Sequence, residues 1–471
     1  DIKADLHDPD TVYVSLDNHK YGDYAPYLVK STDRGRSWES ISGDLPERHL
    51  VWRMVQDHEK PELLFAATEF GVFFSIDAGD SWVELEGGVP TISFRDLAIQ
   101  KRENDLVGAS FGRGFFVLDD YSVLREVSEA SLAQEGSLYS TRKAWLYIPR
   151  SDLDFDDYKG SQGASHYVAP NPPYGAVFTY HLNTGLKTLA ESRQAAEEPL
   201  ETAGADVEFP GWEAVGQEAI QAAPAVLIVV RDRQGNVVRR IEGPADKGFH
   251  RIAWDLRYPA PDVITLGQGS DDGDPPRGLL AAPGTYTATL YKRVDGQVSQ
   301  LDEPIEFAVE RLYKGALPGA ADTEVAAFWR SWEDATRASS ALSLGLKRAV
   351  ARMEAMSSAL SRSRADVGQL DARLHELRES LHALDAELNG NPAKREVGEK
   401  TRPTVSQRLF AVERTVYRSL YGPTETSQQQ LELANASMAS IRSRLTSAES
   451  ALNELGAALV SAGAPYVEGA P

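Results

Sequence analysis

Ser31-Thr32-Asp33-Arg34-Gly35-Arg36-Ser37-Trp38 and Ser75-Ile76-Asp77-Ala78-Gly79-Asp80-Ser81-Trp82 are two copies of the pattern S-x-D-x-G-x-S-W, and 77 minus 33 puts them 44 residues apart. Each copy stands between two strand-like runs, residues 27–30 and 39–42 for the first and 71–74 and 83–86 for the second, so each is predicted to be a hairpin connection. The residue types suit that role. An aspartate can accept backbone N–H bonds across a turn, a glycine supplies a positive φ, and a tryptophan packs beneath the hairpin. A fixed period near 44 residues is that of a four-stranded blade repeated around an axis, which predicts a β-propeller. Ser31, Asp33, Gly35 and Trp38, with Ser75, Asp77, Gly79 and Trp82, are therefore expected to be structural.

A third, decayed copy follows. Thr68-Glu69-Phe70-Gly71-Val72-Phe73-Phe74 is matched by Ser110-Phe111-Gly112-Arg113-Gly114-Phe115-Phe116, but in Val117-Leu118-Asp119-Asp120-Tyr121 the glycine and tryptophan of the box are gone. A last blade, where the chain leaves the ring, would look like this, so residues 1–125 are assigned to C-terminal propeller blades.

These motifs resemble the Asp-box, or BNR, repeats of sialidases, of xyloglucanase-type glycosidases and of the sortilin (Vps10) ectodomain. The chain is similar to large bacterial secreted proteins with BNR-like repeats that carry the label glycosyl hydrolase. The likeness extends to Ser15-Leu16-Asp17-Asn18-His19-Lys20 and to Val168-Ala169-Pro170-Asn171-Pro172-Pro173-Tyr174-Gly175. It implies further blades upstream. The chain opens on Asp1, and residues 12–16 already read as a strand, so a signal peptide is expected in that upstream part, with a secreted, periplasmic or cell-surface location.

Residues 126–174 lack a sustained period and carry Gly160, Gly163 and the Pro170–Pro173 cluster, which reads as a connector. Residues 175–320 show short strands between turns, with an Ala- and Glu-rich helical insertion near 186–223, and predict an immunoglobulin-like β-sandwich. In residues 321–471 apolar residues recur at spacings of three and four, as in Leu370, Leu374, Leu377, Leu381, Leu384 and Leu388, or Leu431, Ala434, Met438, Ile441 and Leu445. Short breaks between such seams predict an antiparallel helical bundle rather than an open coiled coil. The expected fold class is multidomain, mainly β and then all-α.

Bulk composition narrows the partners. Forty-nine Lys and Arg against 70 Asp and Glu leave a net charge of -21, which repels phosphate backbones and argues against nucleic-acid binding. No stretch approaches the roughly 20 apolar residues that span a bilayer. There is no cysteine, so thiolate chemistry and disulfides are excluded. No cofactor and no metal is expected.

The search for chemistry finds no marked set. Glycosidases need paired carboxylates, and a sialidase needs an arginine cluster, but Arg34, Arg36, Arg48, Arg53, Arg95, Arg102 and Arg113 show no motif spacing. Asp152, Asp154 and Asp156 alternate like a Ca²⁺ loop but lack its glycine and glutamate, and Asp271-Asp272-Gly273-Asp274 reads as another solvated acidic run. If the propeller face carries a site, residues at strand ends should line it: Asp17, His19, Trp52, Arg53, Glu69 and Arg113. The competing reading is that Glu69 and Arg113 bond neighbouring blades and Trp52 is packing. Two functions follow. The first is a propeller that binds a peptide or glycan, with the other domains as accessories. The second is a glycoside hydrolase whose catalytic residues lie mostly upstream.

Overall fold

The structure is a computed structural model and describes residues 1–149, 169–264, 277–313, 315–366 and 368–468. Both acidic runs, Asp152–Asp157 and Asp271–Asp274, lie outside the described residues. The chain is mixed β and helical, with several sheets.

Three antiparallel meanders open it. β1 (Ile2–Ala4), β2 (Val12–Asn18), β3 (Asp23–Ser31) and β4 (Glu39–Ser40) form the first. β5 (Val51–Gln56), β6 (Leu64–Thr68), β7 (Val72–Ser75) and β8 (Val83–Glu84) form the second, and β9 (Phe94–Gln100), β10 (Asp105–Ser110) and β11 (Phe115–Leu118) the third. The period-2 alternation of β6 shows how they stack. Leu64 and Ala66 enter a core shared with Tyr13, Leu28 and Ile41 of the first meander, whereas Phe65 and Ala67 enter one shared with Phe94, Leu97 and Leu106 of the third. The second meander is covered on both faces, so every residue of β6 is buried.

The two boxes join β3 to β4 and β7 to β8, and their chemistry is local. Asp33 Oδ1 accepts from the backbone of Arg36 and of Ser37 at 2.8 Å each, and Ser31 Oγ accepts from Gly35 N at 2.8 Å. The second box repeats this, with Ser81 N on Asp77 Oδ1 at 3.0 Å and Gly79 N on Ser75 Oγ at 2.8 Å. Of the two tryptophans expected beneath their hairpins, only Trp82 is buried. Trp82 is 6% exposed and packs against the preceding meander, whereas Trp38 is 46% exposed and bonds only back to Gly35 O at 3.2 Å. The difference follows from position, because the second meander has a neighbour on that side and the first has none among the described residues.

α1 (Glu129–Ala133), β12 (Gly136–Leu138) and β13 (Ala144–Leu146) lie in the stretch expected to be a connector. Both strands join sheets: β12 pairs with β14 (Ala176–Leu182), and β13 runs parallel to β20 (Ile305–Arg311). Strands of three residues are too short to show a period in the sequence. α2 (Leu189–Thr202) and α3 (Trp212–Ile220) form the expected insertion. β15 (Ala225–Asp232), β16 (Val237–Gly243), β17 (Gly248–Trp254), β18 (Gly284–Val294) and β19 (Gln297–Gln300) complete two sheets, ordered β12-β14-β17 and β13-β20-β18-β15-β16 with β19 on β18. The sheets face each other through aromatic rings, Phe178 on Phe307 at 5.3 Å and Trp254 on Tyr286 at 5.3 Å.

α4 (Asp322–Leu360), α5 (Gln369–Leu388), α6 (Pro392–Glu396), α7 (Val405–Arg418) and α8 (Glu425–Ser461) follow. α8 packs on α4, α5 and α7, and its row Leu431, Ala434, Met438, Ile441, Leu445, Ala448, Leu452, Leu455 and Leu459 is buried throughout. These helices and the two preceding sheets share one continuous hydrophobic core.

Candidate functional site

The second and third meanders repeat a hydrogen-bond pattern that brings corresponding residues to one end of the stack. Glu69 N donates to Leu50 O at 3.0 Å in the second meander, and Phe111 N donates to Ser93 O at 2.8 Å in the third. Trp52, two residues after Leu50, therefore corresponds to Arg95, two after Ser93, and Glu69 to Phe111. Asp17 and His19 reach the same end from the close of β2 and the 3-10 turn His19–Tyr21.

These residues form a stack. The Arg95 guanidinium lies 3.7 Å from the centre of the Trp52 ring and 5.0 Å from that of Phe111. His19 meets Trp52 in a T-shaped contact, with ring centres 5.6 Å apart. Glu69 fixes the indole: its Oε2 accepts from Trp52 Nε1 at 2.8 Å and from Ser93 Oγ at 3.0 Å, and Arg95 Nη2 lies 3.6 Å away. His19 Nδ1 is paired with the Asp17 carboxylate, which orients the imidazole. An open cleft of about 640 Å³ lies over this stack, and Tyr24, Glu47, Arg48, Leu50 and Phe70 complete its lining. The Arg48 guanidinium sits 5.6 Å from the centre of the Tyr24 ring. Arg48 is also one of the few non-glycine residues with a positive φ, at 69°, a strained conformation of the kind that clusters at ligand sites.

Of the residues expected at strand ends, His19, Trp52 and Glu69 line the cleft, and Asp17 is outside the lining but pairs with His19. Arg53 does not. It alternates away from Trp52 along β5 and ties the meanders together, with Nη1 2.6 Å from Asp1 Oδ1 and Nε 2.8 Å from Asp96 Oδ1. Arg113 is exposed on the β10–β11 turn and takes no part. Arg95 was missed, although a signal existed: 95 minus 52 is 43, close to the box period.

Chemically, the cleft is lined by the rings of Trp52, Tyr24 and Phe70, the first two each with an arginine over the ring, and by donors from Arg48 and Arg95 and an oriented imidazole. Such surfaces suit ring stacking with hydrogen bonding at the ring edge. Glu69 spends one oxygen on two donors, so it positions Trp52. Among the described residues no group of three or more His, Asp or Glu is placed to hold a metal ion, and no helix is long and apolar enough to cross a membrane.

No protein-family model matches the chain, and no curated protein matches it. Among solved structures it is similar to PorZ, a surface component of the type-IX secretion system of Porphyromonas gingivalis, at 16% identity over 64% of this chain and 37% of that one, with a TM-score of 0.21. It is also similar to the GH74 xyloglucanase of Xanthomonas campestris, at 12% identity over 64% and 37%, with a TM-score of 0.21. The chain thus spans little more than a third of the length of these two proteins.

Proposed function

We propose that this chain belongs to a secreted, periplasmic or surface Asp-box propeller protein that binds a peptide or a glycan in the cleft over Trp52. In this reading residues 1–125 are the last blades, and 126–174 lead out of the ring and lend β12 and β13 to the sheets that follow. An immunoglobulin-like sandwich (175–320) and a helical bundle (321–471) serve as accessory modules.

The observation that carries the binding role is the clamped indole. Trp52 carries Arg95 over its ring, touches His19, is pinned by Glu69 and still lines an open cleft, so this cation–aromatic pair is already ordered and loses little entropy when a ligand packs against it. The propeller reading is supported by the two ends of the stack. Ile2, Leu16 and Tyr27 on the first meander, and Phe115 and Val117 on the third, are exposed apolar residues on sheet faces that further blades would cover. The second reading, a glycoside hydrolase, draws on Glu47 and Glu69 lining one cleft, but Glu69 is already engaged.

Probing glycan and peptide arrays with the wild type and with Trp52→Ala tests the proposal. Signals that the wild type gives and the variant loses are expected. Identical patterns from both proteins would remove the cleft from the function. Release of reducing ends from a polysaccharide, abolished by Glu47→Gln, would favour the hydrolase.

A further inference from the structure

The helical insertion between β14 and β15 is built inside out. Neither α2 nor α3 has a buried residue. A polar network joins the two helices: Arg193 donates through Nε and Nη2 to the two oxygens of Glu218 at 2.7 and 2.9 Å, and through Nη1 to Glu197 at 2.8 Å. The large apolar side chains face outward instead. Trp212 is 82% exposed, Ile220 78% and Phe209 57%. The rings of Phe209 and Trp212 meet with centres 5.1 Å apart, so they form one aromatic tip where the chain turns between the helices. At its root the arm is tied to the sheets through Leu186 N on Ala245 O and Gln221 Nε2 on Asp295 Oδ1.

A soluble helical hairpin normally turns its apolar face inward and its charges outward. Helices of this length are marginal in water on propensity alone. The reversed arrangement leaves a contiguous aromatic surface of the kind that anchors protein interfaces, where tryptophan is enriched among the residues that carry binding.

Charge selects the occupant. Between residues 186 and 223 eight Asp and Glu stand against one Lys and one Arg, and Asp206, Glu208 and Glu213 flank the aromatic tip. Such a surface repels anionic headgroups and phosphate backbones. It also disfavours a second copy of a chain whose net charge is -21. We infer that the arm is a docking element for a cationic protein segment that brings its own apolar side chains to cover Phe209 and Trp212, with the acidic flanks steering the approach. This site is separate from the cleft over Trp52 and does not depend on its ligand.

The test uses the full chain labelled with 5-fluorotryptophan, in which the Trp212 fluorine line is identified by its loss in Trp212→Phe. A leucine–lysine amphipathic peptide is the probe, and an oligolysine of equal charge is the control. Three results are expected: the peptide shifts the Trp212 line, a Phe209→Ser/Trp212→Ser variant binds it about tenfold more weakly with an unchanged melting temperature, and oligolysine binds about tenfold more weakly to the wild type. Equal binding by wild type and variant would overturn the proposal. So would a Trp212 shift caused by vesicles of anionic lipid, or by protein concentration alone. A variant that melts well below the wild type would also overturn it, by showing that the tip is packed within the molecule.

Discussion

The indole nitrogen of Trp82 donates to the backbone oxygen of Ile41 at 3.0 Å, across the boundary between the first and second meanders. The backbone N of Trp82 reaches the same neighbour through Asp44 Oδ1 at 2.6 Å. The second box thus fastens its sheet to the one before it, while Trp38, its counterpart in the first box, finds only its own turn. Trp82→Ala should cost about 3–5 kcal/mol, as expected for a buried aromatic. Trp38→Ala should cost under about 1.5 kcal/mol, because half of its ring already meets water. Urea unfolding of the two variants checks the pair, and equal losses would mean that the boundary contact contributes nothing.

The glycines of the two boxes should differ in the same direction. Gly35 and Gly79 both hold a positive φ, +82° and +100°, so a side chain strains the backbone at either. Only at Gly79 is space also lacking: a Cβ would stand 2.8 Å from Ile41 Cβ and 2.9 Å from Ile41 O, whereas at Gly35 its nearest neighbour is Trp38 at 3.5 Å. Gly35→Ala should therefore cost about 1 kcal/mol from the turn alone. Gly79→Ala should cost that and, in addition, push the meanders apart. Thermal unfolding of both variants measures the difference.

Asp57 and Arg125 hold the turn that leaves the third meander. Asp57 is fully buried and accepts from Arg125 Nε at 2.8 Å, Arg125 Nη2 at 2.7 Å and Tyr121 Oη at 2.7 Å. Burial alone would raise its pKa, but the Arg125 guanidinium, the Lys60 N–H and the Tyr121 hydroxyl outweigh it and bring the carboxyl from 3.8 down to about 2. A lowered carboxyl pKa gives stability that is present above pH 4 and lost as the pH falls through 2. The amount is about 2 kcal/mol. Acid titration of unfolding should show this loss in the wild type and lack it in Asp57→Asn. Arg125→Ala should cost about 3–5 kcal/mol at neutral pH, because it strands a buried charge.

What could be read in the sequence depended on how far apart the interacting residues lie along the chain. The box turns were legible because Ser31, Asp33, Gly35 and Ser37 bond one another within a few residues. The α8 row was legible because a 3.6-residue period repeats over 37 residues. The role of Trp82 was not, since its partner Ile41 lies 41 positions away in another sheet. The cleft was half legible: Trp52, Glu69 and His19 follow from strand ends, but Arg95 becomes a neighbour of Trp52 only when the third meander stacks on the second. Arg113, also expected from its place at a strand end, instead stands exposed on the β10–β11 turn, where Gly112 and Gly114 hold φ values of +78° and +80°.

The helices of residues 320–471 should fold apart from the rest of the chain. Their own seams bury leucines among themselves, and Trp332 Nε1 donates to Leu409 O at 3.1 Å between α4 and α7, so a fragment of these residues should be soluble and strongly helical. One end of it, however, leans on the sheets. Tyr417 Oη donates to Arg277 O at 2.7 Å and its ring lies 5.7 Å from the Arg257 guanidinium, while Arg311 Nη2 donates to Leu420 O at 3.0 Å. Burial at this contact pushes the Tyr417 hydroxyl up to about 12. Cutting the chain at residue 320 exposes that ring and the near ends of α4 and α7, but leaves the far seams intact. The fragment should therefore melt cooperatively by circular dichroism, at a lower temperature than the helical transition of the full chain, and its Tyr417 should titrate closer to the ordinary value of 10. An equal melting temperature, or a Tyr417 titration unchanged by the cut, would show that the shared core contributes nothing to the helices.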